Sequence, residues 1–301
     1  MSAPPLIQVD ELKRLLAGPV TDRPVVLDVR FRLGKSTGRQ EYERAHIPGA
    51  SYVDMDAGLA TIRPDGVGGR HPMPAVQTFT AAMRSAGVTM SRQVVAYDDW
   101  VSLPASRVWW MLRHLGFLDI RVLDGGMGAW TVAGLATESG PHTPVVGDFL
   151  PSGPGLGRVL DATAATSYAE QGLLIDARSA DRFRGENESI DAVAGHIPGA
   201  INAPALDNVA PDGRFLTADQ LADSLRELGI VEAADASRGA VASGADGIVR
   251  ARRVGTYCGS GVQATHLALA LSAAGITDEA DVYIGSWSDW ITDPNNPIAV
   301  G

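Results

Sequence analysis

A single cysteine, Cys258, occurs among the 301 residues. One thiol cannot close an intramolecular disulfide or supply a tetrahedral thiolate zinc site. A lone free thiol fits a reducing compartment. Long apolar runs are also missing: no stretch approaches the ~18 apolar residues a membrane helix needs. The opening MSAPPLIQVDELKRLLAG lacks the charged-then-apolar pattern of an export signal, so a cytoplasmic location is expected. Surplus positive charge is absent. The net charge is -10, spread along the chain without an acidic tail, so no nucleic acid or membrane partner is expected. The six histidines show no ligand spacing such as H-x-x-x-H, and neither metal nor cofactor is expected.

What is present is ordinary globular composition, 45% hydrophobic and 20% charged, over a length that suits about two domains. An internal duplication accounts for it. VVLDVR (Val25 to Arg30) returns as LLIDAR (Leu173 to Arg178), and AHIPGA (Ala45 to Ala50) as GHIPGA (Gly195 to Ala200). VVAYDD returns as VGTYCG, which sets Tyr97 over Tyr257 and Asp98 over Cys258. VLDGGMGAW, ending at Trp130, returns as VYIGSWSDW, ending at Trp290. These matches keep the same order, so the two halves are copies of one domain.

Each copy alternates short, β-branched apolar runs with helix-like stretches. In the first, VVLDV, VVAYD and IRVLDGG read as strands, and RVWWMLRHLG as a helix ending at Gly116. In the second, the strands are LLIDA, VGTYC and DVYIGS, and the helix is ATHLALALSAAG. Short apolar runs between helices predict an α/β fold, each domain a mainly parallel sheet with helices on both faces. The domains are expected at 1–140 and 158–301, joined by a Gly- and Pro-containing linker at 141–157. One difference stands out: Gly87 to Asp98 is 11 residues, whereas Gly229 to Cys258 is 29. The excess reads as an inserted surface loop at about 231–253, rich in Ala, Gly and Ser, with Arg250, Arg252 and Arg253 near its end.

Cys258 follows the strand VGTY and opens the loop Gly259, Ser260, Gly261, Val262, Gln263, Ala264, which runs into a helix. Ligands of open α/β sheets sit beyond the carboxyl ends of the strands. The glycines let the backbone curl so that N–H groups point inward, and the helix offers its positive end. That cradle stabilises an anionic sulfur. A buried core thiol is the competing reading, but the position after a strand and before Gly-Ser-Gly favours a reactive one.

On Cys258 to Ala264 (CGSGVQA), Asp176-Ala177-Arg178, Arg182-Phe183-Arg184-Gly185, both HIPGA segments and YDDW in the first copy, the whole chain resembles the tandem-domain rhodanese family of thiosulfate and 3-mercaptopyruvate sulfurtransferases. The resemblance implies two rhodanese-like domains, of which only the second is catalytic, with Asp98 replacing the cysteine in the first. It implies nucleophilic catalysis through a covalent Cys258 persulfide. The sulfur comes from a small-molecule donor and leaves to a thiophilic acceptor such as cyanide, thioredoxin or a small thiol. Arg182 matches the family's substrate arginine, and its planar fork suits the donor's anionic head. An ion pair with Glu186 is the alternative use of that side chain.

Family members that prefer thiosulfate tend to carry two basic residues after the cysteine. Here Gly259 and Ser260 are uncharged, which tilts toward 3-mercaptopyruvate, with Ser260 and His71 as substrate-binding candidates. Three departures leave the donor open. Gln263 stands where Thr is usual, the Asp expected before His71 is missing (Asp65 is the candidate in its place), and Glu186 to Asp191 contains no second arginine.

The paired Asp-x-Arg motifs (Asp28/Arg30, Asp176/Arg178) and the paired His46 and His196 read as structural, because the first copy has no nucleophile. Trp290 reads as core, and Trp287 as core or cleft lining. Cysteine phosphatases of this fold need an Arg six residues after the cysteine, where this chain has Ala264. A persulfide relay between protein donor and protein acceptor is the second reading that Cys258 permits.

Overall fold

The computed structural model describes residues 4–171, 173–230 and 253–301. The chain forms two compact units. The first comprises Met1–Ile62, Met73–Leu156 and Val209–Phe215, and the second Arg63–Pro72, Gly157–Asn208 and Leu216–Gly301.

In the first unit, strands β1 (Leu6–Ile7), β2 (Val25–Asp28), β3 (Ser51–Tyr52), β4 (Val94–Tyr97) and β5 (Ile120–Leu123) form a sheet of order β1-β5-β4-β2-β3. Every pairing in it is parallel. All four residues of β2, β4 and β5 are buried, as expected of unbroken Val/Ile/Leu runs covered on both sides. The helix Leu103–His114 follows β4 and ends two residues before Gly116, which has φ 87°.

The second unit repeats this plan. Strands β6 (Leu174–Asp176), β7 (Ile201–Asn202), β8 (Gly255–Tyr257) and β9 (Asp281–Val282) form a parallel sheet of order β7-β6-β8-β9. The counterpart of β1 is reduced to the single parallel bridge Val159↔Val282. The helix Ala218–Glu227 starts with a capping box, in which Thr217 and Gln220 satisfy each other's main-chain N–H.

The duplicated motifs perform one task twice. Arg30 clasps Asp28 (2.7 Å) and donates to Ala45 O (2.6 Å), while Arg178 clasps Asp176 (2.7 Å) and donates to Gly195 O (2.7 Å). The hydroxyls of Tyr97 and Tyr257 each accept the N–H of the isoleucine in HIPGA, at 3.1 Å. These groups fasten the HIPGA turn to the sheet. His46 and His196 have the same structural use: each ring Nδ1 bonds a carbonyl, Tyr42 O (2.9 Å) and Phe183 O (2.8 Å).

Residues 141–156 contain no helix or strand, but they pack with the first unit. Phe149 is buried edge-on to Phe79 and Phe117, with ring centroids 6.0 Å away in both cases, so this stretch is fastened by a core aromatic rather than hanging as a bare tether. In the other direction, Val209–Phe215 joins the first unit, where Phe215 N–H donates to Asp124 Oδ1 (2.9 Å). The insertion expected at 231–253, with Arg250 and Arg252, lies outside the described residues. Its last member, Arg253, is described and pairs with Asp281 (2.9 Å) and Glu279 (2.8 Å). No described helix is long and apolar enough to cross a membrane.

Candidate active site

Cys258 sits one residue past β8, and its loop opens the apolar helix Val262–Ala273. Gly261 caps that helix at φ 83°, a left-handed conformation that L side chains resist. The turn aims main-chain donors back at the sulfur: Ser260 N–H reaches Cys258 Sγ at 3.4 Å and Gly261 N–H at 3.1 Å. The loop is anchored from behind. Cys258 N–H donates to Ser286 Oγ (3.1 Å), and Cys258 and Gly259 carbonyls accept from Trp287 N–H (2.9 Å) and Ser288 N–H (3.0 Å).

Cys258 is 1% exposed. Its sulfur is nevertheless faced by two main-chain amides. A Cβ placed on the adjacent Gly259 would lie 2.7 Å from Arg70 Nη2 and 3.6 Å from each terminal nitrogen of Arg182. Two guanidiniums therefore overhang the residue next to the nucleophile, and only a residue without a side chain leaves them that space.

Arg182 leaves the short helix Ala180–Phe183 just after β6. Its partners are Glu188, at 2.9 to 3.2 Å through Nε and Nη2, and Asp191 (2.8 Å). Glu186 does not pair with it. The helix ends at Phe183, so a residue four positions on is no longer on the same face, and Glu186 bonds Arg184 instead (2.7 Å). Burial opposes the charge on Glu188. The N–H groups of Asp191 and Ile190 and the Arg182 guanidinium outweigh it and hold the carboxyl below its usual value. A groove of about 540 Å³ is lined by Ser179, Asp181, Arg182 and residues 186–189, so Arg182 borders open space.

Arg70 was not singled out in the sequence. It arrives on Arg63–Pro72, a piece of the first repeat that packs with the second unit. Gly69 makes that possible, because a Cβ there would lie 2.3 Å from Gly285 O. Arg70 N–H donates to Ser288 Oγ (3.0 Å), and its Nη1 bonds Asp191. The only sequence signal was its place next to His71 in GGRHPMP. His71 itself is buried on the same segment, but its neighbour is the residue whose guanidinium lies against Gly259. Asp65 is committed elsewhere, paired with Arg63 at 2.6 Å, which holds its carboxyl down to about 2. Ser260 is buried and contributes its main-chain N–H to the sulfur cradle. Val262 and Ala264 are buried at the helix start and Gln263 is half-buried. Trp287 belongs to the core: it is fully buried, donates to Val193 O (2.8 Å), and lies under Arg178, 4.8 Å from its ring centroid.

In the first unit the equivalent loop holds Asp98. Its carboxylate accepts from Trp100 N–H (2.7 Å), Ser102 N–H (3.0 Å) and Ala105 N–H (2.9 Å), so an acid fills the cradle that the thiol fills in the second unit. Burial still pushes its pKa up to about 6 against these three donors. No cluster of three or more metal-ligating side chains occurs among the described residues.

Comparison with known proteins agrees with this duplication. The family profile for the rhodanese-like domain matches residues 8–133 and again 161–293. The chain is 40% identical to a probable 3-mercaptopyruvate sulfurtransferase of Pseudomonas aeruginosa, over 100% of both chains. It is 38% identical to a putative thiosulfate sulfurtransferase of Mycobacterium tuberculosis, over 95% of each. Among solved structures, 3-mercaptopyruvate sulfurtransferase from Leishmania major superposes with a TM-score of 0.78 at 27% identity, covering 97% of this chain and 75% of that one. The Escherichia coli 3-mercaptopyruvate sulfurtransferase gives 0.70 at 26% identity, covering 95% and 100%.

Proposed function

This chain belongs to the rhodanese family and is a sulfurtransferase, and from that premise we propose that it carries sulfur as a persulfide on Cys258. The observation that carries the proposal is the pair of main-chain N–H groups, from Ser260 and Gly261, that converge on Cys258 Sγ at the mouth of a helix. Such a nest holds a thiolate and, equally, the terminal anionic sulfur of a persulfide.

The Cys258 thiolate attacks the donor's outer sulfur. With 3-mercaptopyruvate the carbon–sulfur bond breaks, its electron pair passes to the methylene carbon as the pyruvate enolate, and the enolate takes a proton to give pyruvate. With thiosulfate the sulfur–sulfur bond breaks and sulfite departs. Either way the enzyme is left as Cys258–S–S⁻. A thiophilic acceptor, such as cyanide, a small thiol or thioredoxin, then takes the outer sulfur and restores the thiolate. Two half-reactions of this kind give ping-pong kinetics. Arg182 and Arg70 supply N–H donors for the donor's anionic head, placed beside Gly259. The uncharged loop residues Gly259 and Ser260 favour 3-mercaptopyruvate over thiosulfate. A nucleophile that must stay reduced belongs in the cytoplasm.

Mass spectrometry after donor treatment, without acceptor, tests this. The expected result is one added sulfur atom on the peptide containing Cys258, and none in Cys258→Ser. An unmodified wild-type peptide, or sulfur transfer retained by the serine variant, refutes it.

A further inference from the structure

We propose that Asp191 is the residue that selects the donor by charge. Its carboxylate yokes Arg70 and Arg182 into one receptor and cancels enough of their charge to favour a singly charged donor over a doubly charged one. The inference rests on the persulfide reading above and adds a determinant of specificity to it.

Arg70 and Arg182 come from distant parts of the sequence and would repel one another beside Gly259. Asp191, with its side chain 2% exposed, bonds both: Arg70 through Nη1, and Arg182 through Nη2 at 2.8 Å. Arg70 Nη2 and both terminal nitrogens of Arg182 remain against Gly259. Arg70 Nε is a buried donor with no acceptor among the described residues, as expected of a group kept for a ligand. Asp191 is therefore placed to fix where these N–H groups point.

It also sets the balance of charge. Arg182 is further neutralised by Glu188 at 2.9 Å, and Arg178, 3.6 Å from Glu188, is itself paired with Asp176, so three guanidiniums face three carboxylates and the cluster has no formal surplus. The adjacent loop, Gly259 to Ala264, contributes no charged side chain. Such a receptor offers directed donors to a carboxylate. It gives little to the second negative charge of thiosulfate, which 3-mercaptopyruvate does not carry.

Steady-state kinetics of the full-length protein with both donors separate this from a purely structural role. Asp191→Asn keeps the side chain's shape and one acceptor oxygen but raises the cluster's charge by one. The ratio of kcat/KM for thiosulfate to that for 3-mercaptopyruvate should rise about tenfold, mainly through KM, and the gain should shrink in high salt. An unchanged ratio overturns the proposal, whether both donors slow together or neither does. If Asp191→Asn does not fold, Glu188→Gln makes the same change in charge while keeping the yoke. It should move the ratio in the same direction, and an unchanged ratio there overturns the charge argument. A wild-type protein that forms no persulfide with either donor refutes the underlying function. Wild-type transfer with a fixed ratio in the variants refutes only the role of Asp191.

Discussion

Asp98 stands where the second unit has its nucleophile, and Asp98→Asn turns that replacement into a measurement. The carboxyl is buried, and burial lifts its pKa from 3.8 to about 6 despite three main-chain N–H donors. In the unfolded chain the proton leaves near the ordinary aspartate value. Between those two values the native state binds more protons than the unfolded one. Native stability therefore falls as pH rises through that window and levels off above it. A shift of about two units corresponds to about 3 kcal/mol. Asn has no proton to lose, so its stability relative to wild type should improve by about 2 kcal/mol from roughly pH 4 to pH 7. A separate loss does not depend on pH: whichever way the amide is turned, its NH2 faces a main-chain N–H that had an acceptor, at a cost of ~1–3 kcal/mol. Urea titrations followed by tryptophan fluorescence read mostly the relevant unit, because Trp100, Trp109, Trp110 and Trp130 belong to it and only Trp287 and Trp290 to the other. A stability difference that stays flat across this pH range refutes the reasoning.

Three further outcomes follow from the geometry. Gly261→Ala forces a β-carbon into φ 83°; it should cost ~1–2 kcal/mol in thermal or urea unfolding and lower the persulfide yield seen by mass spectrometry. Arg178→Met leaves Asp176 buried without its cation, a loss of ~3–5 kcal/mol that calorimetry should register as a melting temperature lower by roughly 10 °C. Glu188 has a depressed carboxyl pKa in the folded state, so its hold on the 188–191 turn is complete above the usual glutamate value of 4.5 and is lost as pH falls through the folded value. Hydrogen exchange should show the Ile190 and Asp191 amides, both bonded to Glu188, losing protection below that pH and not above it.

The duplication carried most of what could be read in advance. Because Asp28/Arg30 and Asp176/Arg178 recur in a copy without a nucleophile, their structural role was legible, and they prove to be the clasps of the HIPGA turns. The strand, the glycines and the helix start around Cys258 are contiguous, so the turn that aims the Ser260 and Gly261 N–H groups at its sulfur was legible too. The place of Arg70 beside Gly259 was not. Arg70 precedes Cys258 by more than half the chain, and no local pattern says that its segment crosses to the other unit. The alternative ion pair of Arg182 with Glu186 does not form, because helical spacing points to Glu186 while the helix stops too soon for that spacing to apply. A rule of spacing holds only as far as the element that generates it.

The exchange of short peptides between the units changes what a fragment of this protein is. Severing the chain in 141–157 would give a C-terminal piece without Arg70 and His71, and an N-terminal piece without the Val209–Phe215 strip that closes over Asp124. Any attempt to graft the sulfur-bearing half onto a different host must therefore bring along ten residues that lie upstream of its apparent beginning.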